Sequence, residues 1–385
     1  MIKILLVTGA RPNFMKIAPI LRAIEKAPRI EGILVHTGQH YDHNMSQTFF
    51  KSLGIRTPKH NLEVGSGSHA IQTGNIMIRF EKVCLKEKPD LVLVVGDVNS
   101  TIAAGLVAKK LHIDLAHVEA GLRSRDRTMP EEINRIATDS ISDLFFTTEP
   151  EGTHNLISEG NKPEAIFFVG NVMVDNLYYE LGKIKNNAPS AFAENIKRKL
   201  PEKYFCMTLH RPSNVDNKNT LSRLLNAVHK LADEVPVVFP CHPRTRKNIE
   251  AFSLSSIFRA MTNDSGTLRS GFILAEPMDY VDFLYLWKDS CCLLTDSGGL
   301  QAETTALKIP CITMRDTTEC PITIEQGSNV LAGMNEDLIV SLGKQAICGG
   351  WKKCSVPDLW DGKASERIVD ILNNKYGVSS IDTVA

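Results

Sequence analysis

Two apolar runs that end in acids are the chemical signal in this chain. Leu91-Val-Leu-Val-Val-Gly-Asp97 closes on Asp97, and Leu115-Ala-His-Val-Glu119 closes on Glu119 before opening into Ala120-Gly121-Leu122-Arg123. A third acid, Glu131, stands in Pro130-Glu131-Glu132-Ile133-Asn134-Arg135, where a helical pattern starts. Carboxylates drawn together can move protons, because like charges push one pKa up and leave a donor beside a base. Asp97, Glu119 and Glu131 are therefore the candidate acid/base group.

Positioning those acids requires a particular scaffold. Apolar runs of four to six residues, separated by helix-length segments, read as strands of a parallel sheet covered on both faces. Such sheets bind ligands in the crevice outside the carboxyl ends of their strands, where Asp97 and Glu119 both fall. Strands are expected near residues 2–8, 32–37, 91–96, 115–118, 144–147 and 165–169, with helices such as Ile17–Lys26 and Thr101–Leu111 between them. The polar stretch Leu181–Lys203 reads as a connection between domains. A second series follows, with strands at Tyr204–Leu209, Val235–Pro240, Phe272–Leu274, Cys291–Thr295 and Cys311–Thr313 and helices such as Thr220–Asp233 and Leu300–Leu307. Two successive βαβα series predict two doubly wound α/β domains with a cleft between them. A chain of 385 residues is long enough for two cores.

Composition removes several classes. The 44 basic and 44 acidic residues balance, so no electrostatic footprint for nucleic acid or an anionic membrane is present. No apolar stretch approaches the length of a membrane span. Met1–Thr8 lacks a cleavage site and reads as a first strand, not a leader. The nine cysteines form no Cys-x-x-Cys, so free thiols in a reducing cytoplasm are expected. His36, His40, Asp42 and His43 cluster, yet a strand end and its loop would hardly converge them on one ion. No metal and no cofactor are expected.

Anion-binding turns occur in both halves. After the first strand come Gly9-Ala10-Arg11-Pro12 and then Lys16, where a helix start offers N–H donors and Arg11 and Lys16 offer countercharge. In the second half, Thr295-Asp296-Ser297-Gly298-Gly299 joins a strand to a helix. Each turn alone is as readily a tight connection, but one in each domain favours a shared diphosphate. His210-Arg211 and His242-Pro243-Arg244 follow successive strands and suit phosphate contact or proton transfer.

Together these residues carry a resemblance. Gly9-x-Arg11-Pro12-x₃-Lys16, Thr37-Gly-Gln-His40, Gly96-Asp97, His117-Val-Glu-Ala-Gly-Leu-Arg123, Pro130-Glu-Glu-x-Asn-Arg135, His210-Arg211, Thr295-Asp-Ser-Gly-Gly299, Arg315-Asp-Thr-Thr-Glu319 and Asp361-Gly-Lys-Ala-Ser-Glu-Arg367 occur in order. The chain resembles the non-hydrolysing UDP-N-acetylglucosamine 2-epimerase family over essentially its whole length. That resemblance implies two Rossmann-like domains of the GT-B type with an interdomain active-site cleft, spanning residues 1–185 and 186–361. Residues 362–385 would return to the first domain. It implies a cytoplasmic homodimer that feeds surface polysaccharide synthesis by interconverting UDP-N-acetylglucosamine and UDP-N-acetylmannosamine. The chemistry is elimination of UDP to a glycal and re-addition on the opposite face. It carries Asp97, Glu119, Glu131 and His210 over as catalytic residues. Arg11, Lys16, His242, Met278, Phe283, Ser297, Gly298, Gly299 and Glu303 carry over as substrate contacts.

The chain departs from the family at several of these places. Cys320 stands where the family usually has an arginine that reaches the diphosphate, and cysteine cannot mimic a bidentate guanidinium. Ala302 replaces a second acid beside Glu303, and Met278 replaces a common glutamine. These departures leave room for a hydrolysing 2-epimerase, an epimerase of a diacetamido uronic acid nucleotide or a glycosyltransferase. A non-catalytic UDP-sugar binder fits less well, since it would gain nothing from three concentrated carboxylates.

Overall fold

A computed structural model describes residues 1–39, 50–51, 53–186, 189–259 and 266–377, without the side chains of Arg11, Asn186 and Gly377. The chain divides into two compact units: Met1–Asn176 with Asp358–Ala385, and Leu177–Pro357. The sequence reading set its boundaries at 185 and 361. The contact boundary falls inside the helix Val172–Asn186.

In the first unit the buried runs form the expected strands, β1 (Ile2–Thr8), β2 (Ile30–His36), β4 (Leu91–Val95), β5 (Asp114–Val118), β6 (Leu144–Thr147) and β7 (Ile166–Phe168). A two-residue strand β3 (His60–Asn61), which has no apolar signature, adds the outer edge. The sheet runs β3-β2-β1-β4-β5-β6-β7, and its pairings are parallel. The second unit repeats the plan with β8 (Phe205–Thr208), β9 (Val237–Pro240), β10 (Phe272–Ala275), β11 (Cys292–Thr295), β12 (Cys311–Thr313) and β13 (Asn329–Leu331). Its order is β10-β9-β8-β11-β12-β13, again parallel. Both units are therefore Rossmann-like, and in each the strand order reverses once. The reversal lies between β1 and β4 in the first unit and between β8 and β11 in the second. The carboxyl ends at those two places are the crevices such folds use for ligands.

Helix patterning explains the covering layers. The helix Lys218–Ala232 buries Leu221, Leu224, Leu225, Val228 and Leu231, a stripe spaced by three and four. Asn217 caps its start by accepting from the amides of Asn219 at 2.9 Å and Thr220 at 3.2 Å. The polar stretch Leu181–Lys203 is largely helical. It contains the helix Ala191–Lys199, which buries Ala193 and Ile196 and is capped by Ser190. Among the described residues no helix is long and apolar enough to cross a membrane, and none of the cysteines is in a disulfide.

The closing segment of the first unit is pinned by polar contacts. Asp175 is buried and accepts from the amides of Ala364 at 3.0 Å and Ser365 at 2.6 Å, at the start of the helix Ala364–Gly377. Trp360 donates its indole N–H to the Thr148 carbonyl at 2.8 Å, and Tyr376 donates to Asp114 at 2.6 Å. Burial pushes the Asp175 carboxyl above its ordinary pKa even though these amides favour the charged form. Asp175→Ala leaves two helix-start amides without their acceptor and should cost about 1–2 kcal/mol of stability. Urea unfolding measures this; a loss below roughly 0.5 kcal/mol would show that other groups hold the helix start.

Candidate active site

The carboxyl end of β4 is where the first unit concentrates charge. Asp97, two residues beyond β4, has a side chain 26% exposed, and its Oδ2 accepts from Arg135 at 2.7 Å. Its backbone carbonyl accepts from the Asn134 amide at 2.8 Å. Arg135 also bonds Glu132 at 2.5 Å, and Glu132 in turn accepts from the amides of Ser124 at 2.9 Å and Arg125 at 2.8 Å. Burial alone would raise Glu132, but these bonds hold it below its ordinary pKa. Glu132, Asn134 and Arg135 of the helix Pro130–Ile141 are thus spent on Asp97 and the loop before the helix. The motif quoted in the sequence carried no role for Glu132, Asn134 or Arg135. The i, i+4 spacing of Glu131 and Arg135 was the available signal.

Glu119 lies at the neighbouring strand end, next along the sheet. Its carboxylate is bonded by the ammonium of Lys16, which comes from the helix Arg11–Ile24 after β1. Lys16 is half-buried, and loss of water by itself lowers its pKa; Glu119 and then Asp97 outweigh that and raise it, while Arg135 opposes them. Lys16, Asp97, Glu119 and Arg135 are therefore brought together, two anions each with its own cation. Sequence reasoning gave Lys16 to phosphate, whereas the structure places its ammonium on Glu119. Glu119 adopts φ +68°, left-handed backbone that costs a non-glycine residue about 1–3 kcal/mol. Such strain persists only where the surroundings over-determine it. The amides of Glu119 and Ala120 both donate to the Phe146 carbonyl, at 3.0 and 3.2 Å. Gly121 has φ +79°, and a Cβ there would come within 2.1 Å of the Gly152 carbonyl oxygen.

Glu131 is half-buried in the first turn of the helix Pro130–Ile141, one turn before Arg135. Among the described residues no hydrogen bond or ion pair holds its carboxylate. The Arg11 side chain and the His40, Asp42 and His43 positions lie outside the described residues. Among those that are described, no group of His, Cys, Asp and Glu could hold a metal ion.

In the second unit a buried acid organises the equivalent place. Asp296 follows β11 as Asp97 follows β4, and the sequence reading gave it no role. Its carboxylate accepts from the amides of His210 at 3.0 Å and Arg211 at 2.8 Å and from the Asn214 side chain at 3.2 Å. The His210 imidazole lies 3.0 Å from its other oxygen, with a side chain 44% exposed. Burial raises Asp296, but His210 and these amides win and hold it below its ordinary pKa. His210 is thus oriented from behind while its far edge is open to solvent. His242 caps the helix Pro243–Ala251 through Nδ1, 3.3 Å from the Arg244 amide. Burial, followed by His210 and Arg244, lowers its pKa. Arg244 itself is paired with Asp216 at 2.9 Å.

Ser297 precedes the helix Gly298–Leu307, and Ser297, Gly298 and Gly299 are all half-exposed at its start. Glu319 sits beside that start, held by Arg315 at 2.9 Å. Burial would raise Glu319, but Arg315 and then Arg211 bring it down to about 2. Cys320 is buried, and its amide donates to Thr318 at 3.2 Å. Ala302 is buried on the same helix as Glu303. Met278 and Phe283 are half-buried, before and on the helix Tyr280–Trp287. Tyr280, which the sequence reading passed over, donates to Glu303 at 2.8 Å. The second Glu303 oxygen is buried and has no hydrogen-bond partner among the described residues.

Comparison with known proteins adds the following. A family model for UDP-N-acetylglucosamine 2-epimerase matches residues 22–373. The UDP-N-acetylglucosamine 2-epimerase of Methanocaldococcus jannaschii is 43% identical over 384 residues, covering 97% of this chain and 99% of its own. The UDP-2,3-diacetamido-2,3-dideoxy-D-glucuronate 2-epimerase of Pseudomonas aeruginosa is 39% identical over 379 residues, covering 96% and 99%. The crystal structure of the M. jannaschii UDP-GlcNAc 2-epimerase in complex with UDP-GlcNAc and UDP has a TM-score of 0.84 and 41% identity. It covers 97% of this chain and 100% of that one.

Glu303 makes a pH-dependent prediction. Burial pushes its carboxyl up to about 8, only partly offset by Tyr280. The folded pKa is above the unfolded one, so its contribution is fully present below the ordinary carboxylate range near 4.5 and lost as pH rises towards 8. Wild-type stability should fall through that window by roughly 1 kcal/mol per pH unit more than in Glu303→Gln. Thermal melts of the ligand-free proteins across the window compare the two. Parallel curves would mean that Glu303 is already ionised in the folded protein.

Proposed function

The chain belongs to the UDP-N-acetylglucosamine 2-epimerase family, and we propose that it interconverts UDP-N-acetylglucosamine and UDP-N-acetylmannosamine. The observation that carries this reading is the pairing of two carboxylates at adjacent strand ends, Asp97 with Arg135 and Glu119 with Lys16. Epimerisation at C2 must remove a proton from one face of the sugar carbon and return one to the other. Two acids that approach the same place from different strands suit that task, and each is ion-paired, Asp97 with Arg135 and Glu119 with Lys16. C2 is not adjacent to a carbonyl, so the proton leaves readily only if the C1 substituent departs with the electrons. The reaction is therefore elimination of UDP, leaving a 1,2-glycal, and re-addition of UDP after protonation from the opposite face.

The second unit supplies the groups that hold the nucleotide. His210, fixed by Asp296, presents an exposed imidazole edge to the departing diphosphate. The helix start at Ser297-Gly298-Gly299 offers the amides of Gly298 and Gly299, donors of the kind that stabilise an anion, while the Ser297 amide donates to Thr295 at 3.0 Å. Glu303, Met278, Phe283 and His242 complete the contacts on this reading. A homodimer, a cytoplasmic location and supply of a surface polysaccharide rest on family membership alone.

A second reading has a specific observation behind it, the 39% identity to the Pseudomonas diacetamido-glucuronate 2-epimerase. The C2 chemistry is the same in both, and the sugar substituents differ. Assaying both nucleotides side by side separates them, and release of free N-acetylmannosamine would identify a hydrolysing enzyme.

In deuterated water, UDP-N-acetylglucosamine should gain deuterium at C2 as the manno epimer appears, which proton NMR follows directly. Epimerisation with complete retention of the original hydrogen would exclude a solvent-exchanging elimination.

Asp97→Asn, Glu119→Gln and Glu131→Gln should each lower kcat by roughly 10²–10⁴, the usual worth of a positioned proton-transfer group. Each variant should retain its far-UV circular dichroism. Near-normal turnover in one of them would remove that residue from the acid/base group.

A further inference from the structure

We propose that His117 and Asp139 form a buried positioning pair that sets Asp97 and Glu119 relative to each other. The inference rests on the reading that those two acids exchange the sugar proton. The His117 ring is wholly buried in β5, two residues before Glu119. Its Nδ1 lies 2.6 Å from Asp139 Oδ1, and its Nε2 lies 2.9 Å from the carbonyl of Gly96, the residue before Asp97. Both ring nitrogens face acceptors, the Asp139 carboxylate and the Gly96 carbonyl, so one buried side chain links the helix to the strand end.

Asp139 reaches the other acid. Its Oδ2 accepts from the Gly121 amide at 3.1 Å, two residues beyond Glu119, and from Arg123 at 2.7 Å. Arg123 passes on to Glu159 through Nε at 2.9 Å and NH2 at 2.5 Å. Asp139 is thus buried between the His117 ring and the Arg123 guanidinium, while Glu159 at the end of the chain of contacts is 39% exposed. Burial would raise Asp139, but His117 and Arg123 outweigh it and hold the carboxyl below its ordinary pKa.

What the pair touches separates positioning from simple fastening. A fastener between sheet and helix could end on any side chain. This one ends on the backbone of the two segments that carry the acids, at Gly96 and at Gly121. Those residues and Glu119 have φ of +64°, +79° and +68°. Gly96 and Gly121 have no Cβ to restrict their rotation, and small rotations there would shift the segments that carry both carboxylates. His117 and Asp139 are thus positioning residues, with no need to meet the substrate themselves.

The test uses full-length His117→Gln, His117→Asn and Asp139→Asn. Glutamine keeps a donor close to the Nε2 position for Gly96 and loses the bond to Asp139, whereas asparagine does the reverse. Each variant should lower kcat by about 10²-fold, the cost of a small misplacement of reacting groups, with KM and UDP affinity changed by less than about threefold. His117→Gln combined with Asp139→Asn should cost no more in kcat than the worse single change, because the two act as a unit.

The outcomes are distinguishable. A wild-type protein that neither epimerises nor exchanges deuterium overturns the parent reading, and this inference goes with it. An active wild type with any folded variant turning over within about threefold of it overturns this inference alone. Additive losses in the double variant also overturn it, since they describe two independent structural residues. A variant that unfolds loses circular dichroism, and the remaining ones then carry the test. Unfolding of all three would make the pair a fastener and would likewise overturn the proposal.

Discussion

The structure of the first unit depends on holding two carboxylates at neighbouring ends of one parallel sheet. Asp97 and Glu119 leave adjacent strands in the same direction, so the fold itself drives like charges together. In a partly buried setting that repulsion is substantial, and so is the cost of taking ions from water. Lys16 and Arg135 answer both, each arriving from a different helix. The helix after β1 must start where its fifth residue beyond Arg11 reaches Glu119. The helix at Pro130 must start where its sixth residue reaches Asp97. Those two demands set the geometry of the loops at this end of the sheet, and the left-handed backbone at Glu119 follows from them.

Strand-ending acids were legible in the sequence because a buried parallel strand is a solid apolar run, and an acid at its end has little purely structural use. The two Rossmann-like patterns were legible for the same reason. β3 and β13 were not: a two-residue edge strand and a strand beginning at Asn329 carry no apolar run to detect. The polar stretch around Leu181–Lys203 looked like a linker because its buried positions are few. Yet Ala193 and Ile196 are enough to seat a capped helix. Composition averaged over a window conceals a stripe that narrow.

The cations were harder to read than the anions. Lys16 follows a glycine turn, and such a turn invites a phosphate reading of any nearby base. Only the three-dimensional path of the helix brings that lysine to Glu119. Arg135 could have been found, since it stands one turn from Glu131 on the same helix face. Asp296 could have been found too, because it ends β11 as Asp97 ends β4. Its burial gives it a different task, gathering the backbone of His210 and Arg211 instead of facing solvent. The same sequence signal, an acid at a strand end, thus has two physical outcomes, and exposure decides which one applies.

That contrast bears on Cys320. Where family resemblance expects an arginine, this chain buries a thiol and ties the adjoining backbone to Thr318. The positive charge near the Ser297-Gly298-Gly299 turn comes instead from Arg315 and Arg211, both of which act on Glu319 and pull its pKa down. A carboxylate held ionised so strongly is one whose surroundings favour negative charge. An anion brought to the same helix start would meet those guanidinium groups and amide donors, but also the charge of Glu319, which already pairs with Arg315 at 2.9 Å. On the proposed reading, position 320 therefore lacks one bidentate phosphate contact, while Arg315 and Arg211 remain close to the helix start.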